Sequence, residues 1–164
     1  MGIRLPVRGG SVLDANPPRG GFFAAWIEPV KGQTVGFLIV FMGAGIGGAF
    51  RHGVSLVAPS LLGSGAFPYS TLGINVLGSF LMGLIAEYFA IKSGLPVQLR
   101  LFLTTGVLGG FTTFSAFSLE TVLLYEKGLT GAAFAYAIGS VVLGVGALFL
   151  ALMLVRALVH GGAA

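Results

Sequence analysis

The run Gly106-Val-Leu-Gly-Gly-Phe-Thr-Thr-Phe-Ser-Ala-Phe-Ser118 lies inside a long apolar segment, yet it carries adjacent glycines and a cluster of hydroxyls. In a bilayer core, a helix break is tolerated only where its backbone is buried in protein or lines a wet cavity. A glycine weakens a helix by about 1 kcal/mol relative to alanine. Gly109-Gly110 is therefore the expected break. Just beyond it, Phe114 and Phe117 fall at i and i+3 on one helical face, with Thr112, Thr113, Ser115 and Ser118 adding donors. A gap in the helix, two phenylalanines on one face and many hydroxyls suggest a pathway for something small and polar.

Composition sets the class around this run. The chain has 164 residues and reads as one domain, 55% hydrophobic and only 9% charged. Its mean hydropathy is +0.98. A soluble domain carries about 25% charged residues, so this chain cannot cover a water-facing surface. The expected fold class is an all-α integral membrane protein. There is no cysteine, which excludes disulfides and thiolate metal sites. The net charge of +4 is spread over loops and ends. It reads as orientation and lipid-headgroup contact rather than nucleic-acid binding.

Working outward, residues 1–33 read as a flexible or interfacial extension, with Arg4, Arg8, Arg19 and Lys31 among Pro6, Pro17, Pro18 and Pro29. Its apolar run from Phe22 to Ile27 is too short to cross a bilayer, which takes about 20 residues. A signal peptide fits less well, because the apolar run after Lys31 continues into a spanning pattern. Four spans are expected, over 35–62, 70–91, 97–124 and 129–155. Together they form a transmembrane domain over 34–158, followed by a tail over 159–164. Four spans put both termini on one side. Gly43, Gly47, Gly48, Ser79, Gly83, Gly139, Gly144 and Gly146 are small enough for close helix contact, which suits a packed oligomer, most simply a dimer.

Each polar candidate has a bland reading beside it. Gly43-Ala-Gly-Ile-Gly-Gly48 matches a dinucleotide fingerprint, but residues 53–86 hold no Asp or Glu, so helix packing is preferred. Thr71, Asn75 and Ser79 form an i, i+4, i+8 stripe. An asparagine in mid-membrane is costly and faces water or a partner; the competing reading is an interhelical hydrogen bond. Tyr136 and Ser140 repeat the i, i+4 spacing. Phe114 and Phe117 can be core packing, or can turn their positive ring edges toward an anion. Arg51 either snorkels or draws anions into a vestibule, and His52 lacks metal-ligand companions. Glu87, Glu120 and Glu126 lie toward helix ends, where interfacial solvation is expected. Glu120 stands out, being six residues past Phe114 on the same helix.

Over about 34–156 the chain resembles the Fluc/CrcB fluoride channels. The resemblance is carried by Gly47-Gly-Ala-Phe-Arg-His52, by Thr71-Leu-Gly-Ile-Asn-Val-Leu-Gly-Ser-Phe80, and by Gly109-Gly-Phe-Thr-Thr-Phe-Ser-Ala-Phe-Ser118 with Glu120 after it. Two departures are His52, where the family more often has Tyr, and Ala116, where it often has Thr. The resemblance implies four-helix subunits in an antiparallel homodimer with dual topology in the inner (plasma) membrane. It implies two pores per dimer for passive fluoride export, which relieves fluoride toxicity. Asn75 would line the pore, and Phe114 and Phe117 would form an aromatic box. Ser115, Thr71 and Ser140 would donate hydroxyls, with Tyr136 on the same pathway and Arg51 in the vestibule. A structural Na+ at the dimer centre would be held by the backbone carbonyls of Gly109 and Thr112.

Selecting fluoride needs several donors in place of water, without a grip so tight that the ion stays. The Lys/Arg distribution pulls against dual topology: seven lie on the side of the termini and only Arg51 and Lys127 on the other. Without the residues before Lys31 the count is four against two. The competing functions are a small multidrug or cation exporter, an intramembrane enzyme using Ser115 with His52, and a structural subunit. The exporter calls for a mid-membrane acid, commonly in the first helix, and 35–62 contains none.

Overall fold

The computed structural model describes residues 33–63, 65–92 and 94–160. Apart from their inner ends, the expected extension over 1–33 and tail over 159–164 lie outside the described residues. Everything described is helix or short connection. Helix α1 is Gln33–Leu62 and α2 is Tyr69–Ile91. The third span is built in pieces: α3, Val97–Leu101; a wider π-helical stretch, Phe102–Leu108; α4, Gly109–Phe111; and α5, Phe114–Glu126. Helix α6 is Thr130–His160, running past the expected end near residue 155. Four spans, Thr34–Leu61, Tyr69–Ile91, Val97–Glu126 and Thr130–Val159, are long and apolar enough to cross a membrane.

The spans pack as two parallel pairs. Along α1 and the third span, Gly36 lies near Leu101, Gly43 against Gly106, and Gly47 against Val107 and Phe111. Residue numbers rise together, so the two run the same way. The Gly43–Gly48 pattern is thus helical, and its Gly43 and Gly47 are used for backbone contact, as the packing reading expects. A Cβ at Gly43 would stand 2.8 Å from Gly106 Cα and from the Phe102 carbonyl oxygen. The second pair is α2 with α6, where a Cβ at Gly83 would stand 2.6 Å from the Leu148 carbonyl oxygen and 2.8 Å from Ala151 Cβ. Further along the same seam the Glu87 carboxylate meets the Arg156 guanidinium at 2.7 and 3.1 Å. Other expected seam residues do not serve this purpose within one protomer: Gly48, Gly139 and Gly146 have nothing within 4 Å.

The turn between the third and fourth spans is tight. Gly128 has φ +76°, a left-handed conformation that glycine adopts without a Cβ penalty. The Gly128 N–H donates to the Tyr125 carbonyl at 2.9 Å, closing the helix end.

The expected break site differs from the observed one. Gly109 is helical, with φ −64° and ψ −36°, and helix continues through Phe111. Helical conformation lapses at Thr112 (ψ 159°) and Thr113 (φ −150°, ψ 119°). The glycines answer to packing instead. A Cβ at Gly110 would lie 2.8 Å from Ala44 Cα and 3.0 Å from its carbonyl carbon, so Gly110 lets α1 approach. A buried glycine that brings two helices together offsets its own poor helix propensity.

Few side chains are buried; Tyr136, Ile74 and Thr104 are the largest that are nearly inaccessible. Large apolar residues face outward instead, including Phe37, Phe41, Phe50, Leu61 and Phe149. Monomeric soluble proteins rarely expose contiguous apolar surface on this scale. With four spanning-capable helices, the chain is a multi-pass membrane protein.

Candidate functional site

The site is built on the two extended residues. Freed from the helix, the Thr113 N–H donates to Asn75 Oδ1 at 2.8 Å, and Asn75 Nδ2 donates to the Thr113 carbonyl at 3.0 Å. Thr113 then starts α5 as its N-cap, with Oγ1 accepting from the Ala116 N–H at 3.2 Å. A threonine in extended conformation is a favoured N-cap because its oxygen satisfies one of the first unpaired N–H groups. Ser115 stands beside it, its Oγ 3.3 Å from Thr113 Oγ1.

These two bonds release two carbonyls. In a continuous helix, the Thr113 N–H would bond the Gly109 carbonyl and the Ala116 N–H would bond the Thr112 carbonyl. Here both N–H groups go to side-chain oxygens. Gly109 is also exposed on the surface of the protomer. Neutral carbonyls of this kind suit a hard monovalent cation, so the donor set fits Na+.

Two cavities share Thr113 as a wall. One, of about 300 Å³, is a cleft lined by Asn75, Ser79, Thr112, Phe114, Phe117 and Ser140 among others. The Ser140 hydroxyl is buried and has no hydrogen-bond partner among the described residues. The Phe114 and Phe117 rings lie 5.5 Å apart, tilted by 45°, and Phe114 is 78% exposed in the protomer. The other cavity, of about 330 Å³, is lined by Arg51, His52, Ser55, Ser70, Thr71 and Glu120. Glu120 is tied down: Thr71 Oγ1 donates to one carboxylate oxygen at 2.8 Å, and the Tyr136 hydroxyl donates to the other at 2.7 Å. The Tyr136 ring also packs 5.3 Å from Phe117. A larger groove of about 820 Å³ runs along the outer face of α1 by Phe50, Val54 and Leu61, but it is apolar and carries none of this chemistry.

Residues 38–152 match the family model described as CrcB-like protein, Camphor Resistance (CrcB). The chain belongs to the CrcB-like family. A relative from Granulibacter bethesdensis, named fluoride-specific ion channel FluC, is 64% identical over 125 residues, covering 76% of this chain and 98% of its own. Proteins of the same name from Rhodopseudomonas palustris (strain BisB5) and Methylobacterium nodulans are 55% and 53% identical. Those matches cover 74% and 73% of this chain and 98% and 94% of theirs.

Within this family member, the structure gathers Asn75, Phe114, Phe117, Ser140 and Thr112 at one cleft. Thr71 and Arg51 line the other cavity instead. Tyr136 is buried behind Phe117 and reaches Glu120. Ser115 serves the N-cap, and no hydrogen bond joins it to His52 among the described residues. Thr113 was one hydroxyl among several in the sequence, yet it joins both cavities. Its cap position, the last extended residue before a helix, was the available signal. Glu87 departs from the expected interfacial solvation. It is 6% exposed and paired with Arg156, a partner 69 residues away that no local pattern reveals.

Proposed function

We propose that this chain is a fluoride-selective channel that lets fluoride leave the cell passively and so relieves its toxicity. The observation that carries this reading is the cleft beside Thr112 and Thr113. There the unpartnered Ser140 hydroxyl, the Asn75 amide and two phenylalanine rings converge without a fixed positive charge in the lining. An amide nitrogen carries two N–H donors, and Asn75 uses one on Thr113, leaving one for an ion. Fluoride is small and strongly hydrated, so neutral donors can replace its water while still letting it go. The interrupted helix adds direction, because an N-terminal helix end favours anions and a C-terminal end favours cations. Thr113 opens α5 toward the anion side. Thr113 is the wall between the cleft and the cavity of Thr71 and Glu120, which serves as the vestibule where Arg51 gathers anions.

In this reading the break lies mid-membrane in the inner (plasma) membrane. Two chains pair antiparallel with dual topology, giving two pores. The exposure of Phe114 and Gly109 in the single protomer supports burial of these residues by a second copy. A Na+ held by the Gly109 and Thr112 carbonyls of both copies would supply a fixed structural charge at that interface. The test is fluoride efflux from liposomes holding the purified protein, with chloride as control. Fluoride flux without chloride flux is expected. No flux of either ion, or proton-driven movement of organic cations, overturns the reading.

A further inference from the structure

Asn75 reaches across from α2 to the place where the third span lets go of its own backbone. Its Oδ1 takes the Thr113 N–H at 2.8 Å, the donor a continuous helix would give to Gly109. Its Nδ2 holds the Thr113 carbonyl at 3.0 Å, fixing Thr113 in the extended conformation. That conformation lets Thr113 Oγ1 take the Ala116 N–H, the donor that would otherwise belong to Thr112. We infer that Asn75 is a positioning residue for cation binding: it sets aside the Gly109 carbonyl by accepting the Thr113 N–H itself, and the Thr112 carbonyl by holding Thr113 where its own Oγ1 accepts the Ala116 N–H. The inference rests on the Na+ reading above and assigns the pore asparagine a second task at a different site.

The physical case is one of accounting for backbone groups. A buried N–H without an acceptor is rare in native structures because it is costly. Residues on both sides of the gap, Gly109–Phe111 and Phe114–Glu126, are already helical, and only Thr112 and Thr113 are extended. If Asn75 Oδ1 is removed, the acceptor that a continuous helix offers the Thr113 N–H is the Gly109 carbonyl. Closing that bond continues the helix and withdraws the carbonyl from any ion. A carboxylate at position 75 keeps the acceptor and loses the N–H donors. Anion flux and cation binding therefore separate by substitution.

The experiment is thermal melting of the purified full chain across Na+ concentrations, with K+ or N-methylglucamine keeping ionic strength constant. Fluoride flux is measured on the same samples. Wild type is expected to melt higher as Na+ rises. Asn75→Asp is expected to keep that dependence and lose flux. Asn75→Leu is expected to lose flux and to need about tenfold or more Na+ for the same stabilisation, as is usual when a residue orienting metal ligands is removed. A uniformly lower melting curve for Asn75→Leu with unchanged Na+ dependence overturns the inference and leaves the Na+ reading standing. Absence of any Na+-specific stabilisation in wild type overturns both. If Asn75→Leu does not fold, Thr113→Val and Thr113→Ser decide the matter. Serine should keep the Na+ dependence and valine should weaken it, and equal dependence in both overturns the inference.

Discussion

Adding one methyl group at Gly47 should cost more than its size suggests. A Cβ there would lie 2.8 Å from the Phe111 amide nitrogen and 2.9 Å from the Val107 carbonyl carbon, with the Val107 carbonyl oxygen nearer still. These are backbone atoms of a packed helix, so no side chain can swing away. Ordinary contact begins at about 3.4 Å, so the two spans would have to part by more than about 1 Å at this point, and a gap of even 0.5–1 Å forfeits about a quarter to a half of each dispersion contact across it. The loss would extend to Gly43 and Gly110, which share the seam. Overpacking of this kind costs about 1–3 kcal/mol. Alanine's better helix propensity returns at most about 1 kcal/mol. The expected net loss is about 1–2 kcal/mol, with reduced fluoride flux, because Phe111 immediately precedes the two extended threonines. Gly45, two positions away on the same helix, has nothing within 4 Å and is the control. The assay is the temperature at which half the protein survives as a folded peak in size-exclusion chromatography. Equal melting of Gly47→Ala and Gly45→Ala would refute the argument that the backbone seam is closed to a methyl.

Phe114→Ile and Phe117→Ile should lower stability by less than ~1.5 kcal/mol and reduce fluoride flux much further, since isoleucine keeps bulk but lacks a ring edge. Normal flux in both variants, measured on the samples used for melting, would retire the ring-edge pathway. Arg156→Met should lower the melting temperature more than Glu87→Gln. The first leaves a carboxylate on a side chain only 8% exposed, whereas the second leaves a guanidinium already 55% exposed; the reverse order counts against the ion pair's role on the α2–α6 seam. Tags at the C-terminus should be reached from both faces of the cell membrane. A single accessible face in a conducting protein would rule out antiparallel pairing of identical chains.

The four spans were legible because each is a long apolar run between turn signals, and a bilayer leaves helices as the open-ended solution. The two-pair arrangement was not legible. Which glycines close a seam depends on facing residues from another span: Gly43 and Gly47 meet backbone, while Gly48 and Gly139 meet nothing in the protomer. The same limit explains the misplaced break. Helix propensity, measured on isolated helices, points to Gly109-Gly110 as the weak spot. In the folded chain Gly110 is held helical by close contact with Ala44, and the gap is fixed two residues later by an amide 38 residues away.

Asn75 shows how two readings of one residue can both be compatible with its geometry. The sequence offered a choice between facing water and making an interhelical hydrogen bond, as if one excluded the other. An amide need not choose, because it carries an oxygen acceptor and two N–H donors on one rigid plane. Oδ1 accepts from the Thr113 N–H, one Nδ2 hydrogen goes to the Thr113 carbonyl, and the other remains at a residue that lines the cleft. No other side chain of this length does all three. Aspartate has the acceptors and no donor, and its charge would repel an anion. Serine has one donor and is an atom too short to bridge both backbone groups of one residue. Leucine has the length and nothing to offer. In the proposed channel the requirement for an asparagine at this position therefore comes from two demands at once: the gap must be held open against helix closure, and a donor must be left over beside it.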